Sequence, residues 1–155
     1  MLEMKNVTYI YEDQTVALKD ISMDLSKGSC IGIIGSNGAG KSTLFLNFTG
    51  VLRPKQGQIF YDEKPMKYDK ASLRELRKQV SIVFQDPDKQ IFFSKVYDDV
   101  AFALRNLGVD EKEINHRVNI ALASVGAKDF ADKPVHFLSH GQKKRVAIAG
   151  VIAMD

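Results

Sequence analysis

The sequence predicts an α/β fold. Cys30-Ile31-Gly32-Ile33-Ile34 is a continuous apolar run, the pattern of a strand buried on both faces of a parallel sheet. A loop follows with glycines at 35, 38 and 40, and a helix is expected to open near Lys41. Ahead of these lie two β-rich segments that read as strands. With 155 residues the chain is one domain's worth.

Taken in order, Asn6-Val7-Thr8-Tyr9-Ile10-Tyr11 and the alternating Ile21-Ser22-Met23-Asp24-Leu25 read as strands. Lys27-Gly28 reads as a turn. Leu44, Phe45, Phe48 and Leu52 give the helix after the loop an apolar face. Arg53-Pro54-Lys55-Gln56-Gly57 breaks it, and Gln58 to Tyr61 reads as another strand. Ser72 is expected to cap a helix over 73–78, with Glu75 completing a capping box. Ser81-Ile82-Val83-Phe84 reads as a short buried strand, ended by the turn Gln85-Asp86-Pro87-Asp88. Ile114, Val118, Ala121, Leu122 and Val125 form one helical stripe. A last helix begins at Leu138-Ser139-His140-Gly141-Gln142, and its apolar run from Val146 to Met154 reads as a buried helix.

Composition excludes several classes. Apolar residues make up 45% of the chain and charged residues 26%, which argues against disorder. The net charge of +3 is mild and calls for no nucleic-acid partner. A single cysteine, Cys30, forms no internal disulfide and no CxxC pair, so a reducing compartment fits. Glu3, Lys5 and Asn6 interrupt any N-terminal signal-like stretch, and no apolar run approaches the ~20 residues needed to cross a bilayer.

Gly35-Ser36-Asn37-Gly38-Ala39-Gly40-Lys41-Ser42 matches G-x-x-x-x-G-K-[ST], between a predicted strand and a predicted helix. Glycines let backbone N–H groups curl around phosphate oxygens, and the helix N-terminus adds partial positive charge. Lys41 is expected to reach the β- and γ-phosphates, with Ser42 ligating Mg²⁺ and Thr43 beside it. No Asp has a glycine three residues on and no Asn precedes a Lys, which excludes the D-x-x-G and N-K-x-D motifs of small GTPases.

Leu138-Ser139-His140-Gly141-Gln142-Lys143-Lys144-Arg145 resembles the LSGGQ signature of ABC ATPases, with His140 at a variable position. Tyr11 stands where that family places an adenine-stacking aromatic, and Gln85 in Val83-Phe84-Gln85-Asp86-Pro87 is similar to its Q-loop glutamine. Phe84 to Phe92, Asp98-Asp99-Val100-Ala101-Phe102 and Gln142 to Gly150 are similar to the cobalt and vitamin energy-coupling-factor importers.

The resemblance implies a phosphate-loop α/β core with an N-terminal antiparallel part and an inserted helical subdomain. Residues 1–86 would be the β part and core, 87–138 the helical subdomain, and 139–155 the signature and following helix. It implies ATP and Mg²⁺, with Lys41 and Gln85 catalytic and Ser42 and Gln85 on the metal. Tyr11, Gly35, Ser36, Asn37, Gly38, Ala39, Gly40, Lys41, Ser42, Thr43, Gln85, Ser139, Gly141 and Gln142 would bind nucleotide. It further implies ATP hydrolysis driving uptake of a metal ion of the cobalt type or a vitamin, at the cytoplasmic face of the cell membrane. The partners would be an integral-membrane coupling subunit, a substrate-binding membrane subunit and a second ATPase subunit, with no nucleic acid. The Walker B strand, D-loop and switch histidine are expected after Asp155. The alternatives are a DNA-repair or ribosome-associated ABC ATPase and a non-catalytic nucleotide-binding subunit.

His116 and His136 lack partners at metal-ligand spacing and read as surface or packing residues. Lys143-Lys144-Arg145 reads as a solvated helix start. Ile91-Phe92-Phe93 reads either as helical-subdomain core or as part of a groove for the membrane partner.

Overall fold

The computed structural model describes residues 1–26 and 30–155, so the expected turn at Lys27-Gly28 lies outside the described residues. The chain forms two compact units, Met1–Val80 and Ser81–Asp155.

The first unit holds a four-stranded antiparallel sheet in the order β2-β1-β3-β4. These strands are β1 (Leu2–Ile10), β2 (Val16–Asp24), β3 (Gln56–Tyr61) and β4 (Lys64–Pro65). Met4 faces Met23 on β2 and Ile59 on β3. Met4 and Val7 are both in the core, although an odd spacing puts residues on opposite faces of a regular strand. The register shifts between them, and Asn6 takes a positive φ of 49°. This bulge returns Val7 to the inner face. Gly57 answers it on β3, where a Cβ would lie 2.3 Å from the Asn6 carbonyl oxygen. Leu18 of β2 and Leu44 and Phe48 of helix α1 (Lys41–Phe48) complete this core.

Helix α2 (Lys70–Gln79) corrects the expected cap. Asp69, not Ser72, is the N-cap, and its carboxylate accepts from the Ser72 N–H at 3.0 Å. Glu75 pairs with Lys78 at 2.8 Å instead of closing a capping box.

Two expected strands are not strands here. Residues 30–34 and 81–84 form no ladder among the described residues. Ile31 is 44% exposed and Ile34 99%. A strand exists through hydrogen bonds to its neighbours, and no described segment pairs with either run. Only Ile33 of the first run packs against the first core.

The second unit is helical, with α3 (Val96–Leu107), α4 (Glu111–Ser124) and α5 (His140–Ile152). Val96, Val100 and Leu104 recur every four residues on α3 and are fully buried. Ile114, Val118, Ala121 and Leu122 face them from α4, and Val146 and Ala149 from α5. Gly108 ends α3 in the left-handed conformation and Asp110 caps α4. Arg105 bridges Asp98 and Glu111 across that turn.

Candidate functional site

The first unit carries the phosphate loop. Gly38 and Gly40 both have φ of 81°, which glycine adopts without strain. At Gly40 space is also short, since a Cβ would sit 2.4 Å from the Ala17 carbonyl oxygen on β2. Gly40 is therefore the point where the loop is drawn against the sheet before α1 begins. Among the described residues no side chain caps α1, so its first turn offers backbone donors to an anion.

The Lys41 ammonium donates to the carbonyl oxygens of Gly35 at 2.7 Å and Ser36 at 2.6 Å. Ala39 N–H donates to the Ser36 oxygen at 3.2 Å and closes the turn. Ser36, Asn37, Ala39 and Ser42 are exposed, and Thr43 is buried. The hydroxyls of Thr43 and Tyr11 share a hydrogen bond of 2.8 Å. The Tyr11 ring stands edge-on to Tyr9, 5.0 Å between centroids, and is 38% exposed. The donor set fits a nucleoside triphosphate: an uncapped helix N-terminus, an ammonium, a hydroxyl and a reachable aromatic face. Ser42 supplies the hard oxygen that Mg²⁺ prefers.

The second unit carries the other expected residues. Ser139 caps α5 in a reciprocal capping box. Its Oγ accepts from Gln142 N–H at 3.3 Å, while its own N–H donates to Gln142 Oε1 at 2.9 Å. Gly141 lies between them, with open space where a Cβ would be. The Gln85 side chain is exposed.

The segment that follows Gln85 lies against the start of α5. Asp88 pairs with Lys143 at 2.6 Å, and Lys144 donates to the carbonyl oxygens of Phe84 and Gln85. Lys144 is thus not the solvated residue expected from the sequence. No local signal reveals this, because its acceptors lie 59 and 60 residues upstream. His140 joins Asp86 and Asp88, with potential ligand atoms all within 4.8 Å of one another. The Asp88 charge there is already balanced by Lys143.

Ile91 packs on the second core. Phe92 is 67% exposed and stacks with Phe93 and Phe102 at 4.8–5.4 Å, so the core reading holds for Ile91 and fails for Phe92. Asp99 accepts from the N–H groups of Phe92 and Phe93 and fixes that turn. Its burial pushes its pKa up against those two bonds. A groove of about 890 Å³ beside α2, lined by Tyr61, Met66 and Arg74, includes none of the phosphate-loop residues.

A glycine loop folded onto a lysine at the mouth of a helix defines a phosphate-loop nucleotide-binding protein. The ABC transporter family pattern matches residues 18–155, and the chain belongs to that family. Nucleotide binding goes with that membership.

Over the whole chain it is 52% identical to the energy-coupling factor transporter ATP-binding protein EcfA of Methanocaldococcus jannaschii, covering 56% of that protein. It is 49% identical to the cobalt import ATP-binding protein CbiO of Salmonella typhi, covering 57% of it. The chain thus spans little more than half the length of these relatives. Among solved structures, cbiO1 of Clostridium perfringens, part of the ABC transporter complex cbiONQ, matches with a TM-score of 0.87 and 49% identity. That match covers 99% of this chain and 61% of the other. A dimeric ATP-binding cassette in a post-hydrolysis state, bound to ADP and Pi, matches with a TM-score of 0.88 and 28% identity, over 99% and 69% of the two chains.

Proposed function

We propose that this protein is the ATP-binding subunit of an energy-coupling-factor importer, hydrolysing ATP to drive uptake of a cobalt-type metal ion or a vitamin. The observation that carries the reading is the pairing, in one chain, of a phosphate loop opening α1 with a capped signature segment opening α5. The relatives named above supply the transporter class. Between Gln85 and Ser139 lie helices of 12 and 14 residues, too short for the long coiled coil of a DNA-repair ABC ATPase.

In this reading Lys41 exchanges the Gly35 and Ser36 carbonyls for the β- and γ-phosphates, and the loop N–H groups hold the charge that develops on the transferred group. Tyr11 offers its ring to adenine. Ser42 would supply an oxygen to Mg²⁺, with Gln85 as the second expected ligand, and the ion would neutralise phosphate charge. Ser139, Gly141 and Gln142 serve the nucleotide of a second ATPase subunit, identical or related, in a head-to-tail pair. The exposed rings of Phe92 and Phe93 suit the integral-membrane coupling subunit, which works with a substrate-binding membrane subunit. Among the described residues no helix is long and apolar enough to cross a membrane. As a partner of those membrane subunits, the protein would sit peripherally, at the cytoplasmic face.

The test is an ATP-induced melting shift in the full-length protein, followed by uptake in vesicles carrying the membrane subunits. Ligand at 100 times its dissociation constant adds about 2.7 kcal/mol, or roughly 5–11 °C for a domain of this size. Lys41→Ala should abolish both the shift and the uptake. An equal shift in the variant would remove Lys41 from the site, and ATP-independent uptake would defeat the transport reading.

A further inference from the structure

Residues 81–84 form no strand ladder among the described residues, yet the Phe84 peptide groups are satisfied. Two side chains do this. Gln90 Oε1 accepts from Phe84 N–H at 2.9 Å, and the Lys144 ammonium donates to the Phe84 carbonyl oxygen at 2.9 Å. The same ammonium donates to the Gln85 carbonyl oxygen at 2.6 Å. Gln90 Nε2 donates to the Ala147 carbonyl oxygen at 3.3 Å. Lys144 and Ala147 lie three residues apart, on one side of α5. All these groups belong to the second unit.

We infer that Lys144 and Gln90 are positioning residues that fasten the Gln85 segment to the signature helix, so that the two shift as one piece. The main chain at Gln85 is held by a charge-assisted bond while its side chain stays exposed. Movement of the Gln85 segment is therefore passed to the N-terminus of α5, where Ser139 and Gly141 lie. Amide and ammonium hold the two successive peptide groups on either side of the Phe84 Cα, so each supports the other. Lys143 differs, because its partner is the Asp88 carboxylate and not a main-chain carbonyl.

The inference rests on the proposed roles of Gln85 and the signature segment, and its test separates the two. ATP hydrolysis is measured in the full-length protein assembled with its membrane subunits, with melting temperature as the check on folding. Lys144→Met should lower kcat about tenfold, the scale of losing a charged hydrogen bond, and leave the KM for ATP within about twofold. Lys144→Arg, which can still donate to both carbonyls, should restore most of kcat. Gln90→Leu should behave as Lys144→Met does, and the double variant should be no worse than the poorer single, since both hold the same residue, Phe84. If Lys144→Met melts early, the Arg and Leu variants decide alone.

Wild-type kcat in Lys144→Met, or a rise in KM matching the fall in kcat, would overturn the inference. So would failure of Lys144→Arg to recover, or additive losses in the double variant. Absence of ATP hydrolysis in the wild-type assembly would instead strike the proposed function.

Discussion

The Tyr11 hydroxyl is hydrogen-bonded to the Thr43 hydroxyl at 2.8 Å, which ties the end of β1 to the first turn of α1. The ring expected to carry adenine and the residue beside Ser42, the expected Mg²⁺ ligand, are thus already in one small network. Replacing Tyr11 by Phe removes the bond and keeps the ring. Replacing it by Ala removes both.

Stacking on an aromatic ring is worth about 1–3 kcal/mol by alanine substitution. Tyr11→Ala should therefore weaken ATP binding by roughly 5- to 150-fold. Tyr11→Phe should keep affinity within a few-fold and lower stability by about 1 kcal/mol, one hydrogen bond. Isothermal titration with ATP separates the two variants. Equal losses in both would mean that the hydroxyl, not the ring, serves the nucleotide.

Tyr68 presents the opposite case. Its hydroxyl is buried with no hydrogen-bond partner among the described residues. Burial pushes its pKa up to about 12, against the pull of Arg53, whose guanidinium lies 5.3 Å from the ring centroid. Deleting an unpaired buried hydroxyl removes a desolvation cost and leaves the ring contact. Tyr68→Phe should stabilise the first unit by about 1 kcal/mol in chemical denaturation. A loss of stability would show that the hydroxyl has a partner in solution.

Asp99 sets a pH dependence of known sign. Burial raises its pKa in the folded state, so the native form binds its proton more tightly than the unfolded chain. Stability from this group is present below the unfolded value, about 3.9, and is lost as pH rises toward the folded value. Asp69 works the other way. Bonds from Ser72 hold its pKa down, so its contribution is lost as pH falls. Asp99→Asn keeps an acceptor for the Phe92 and Phe93 N–H groups and cannot ionise. The melting temperature of Asp99→Asn minus that of wild type should rise as pH climbs past the unfolded value of about 3.9. A flat difference would contradict the raised pKa.

What the sequence reveals divides along the range of the interactions. The loop from Gly35 to Ser42 is legible because its geometry is local: left-handed turns, a lysine and a helix start lie within eight residues. Ser139 is legible as a cap for the same reason. Asp69 and Ser72, three residues apart and both cap formers, cannot be ranked by pattern alone, and the carboxylate takes the Ser72 N–H. The apolar run at residues 30–34 records what such a segment needs, but the neighbours that would make it a strand are not among the described segments. Lys144 is misread because charge runs usually face water, and only the fold brings two carbonyls to it.

The capping box at Ser139 bears on which subunit's nucleotide this residue serves. Its Oγ is engaged with Gln142 N–H, and Gly141 leaves open space beside it. In a head-to-tail pair these groups would meet the phosphates on the other subunit's loop. Ser139→Arg removes the cap, at a cost of about 1 kcal/mol, and places a long side chain across the approach. An arginine does not repel ATP by charge, so obstruction and the lost hydroxyl must cause the defect. ATP binding to the isolated full-length monomer should be nearly unchanged, because Gly35 to Ser42 are intact. ATP-driven dimerisation and hydrolysis should fall together. If the pair is a homodimer, mixing Ser139→Arg with Lys41→Ala leaves one composite site intact and concentrates both lesions in the other. Partial recovery of hydrolysis is expected in that mixture, up to about half of wild type if one site fires alone. Equilibrium dialysis of the monomeric Ser139→Arg variant decides the question directly. Loss of monomer binding with no more than the few-degree fall in melting temperature that the lost cap accounts for would place Ser139 in its own subunit's site.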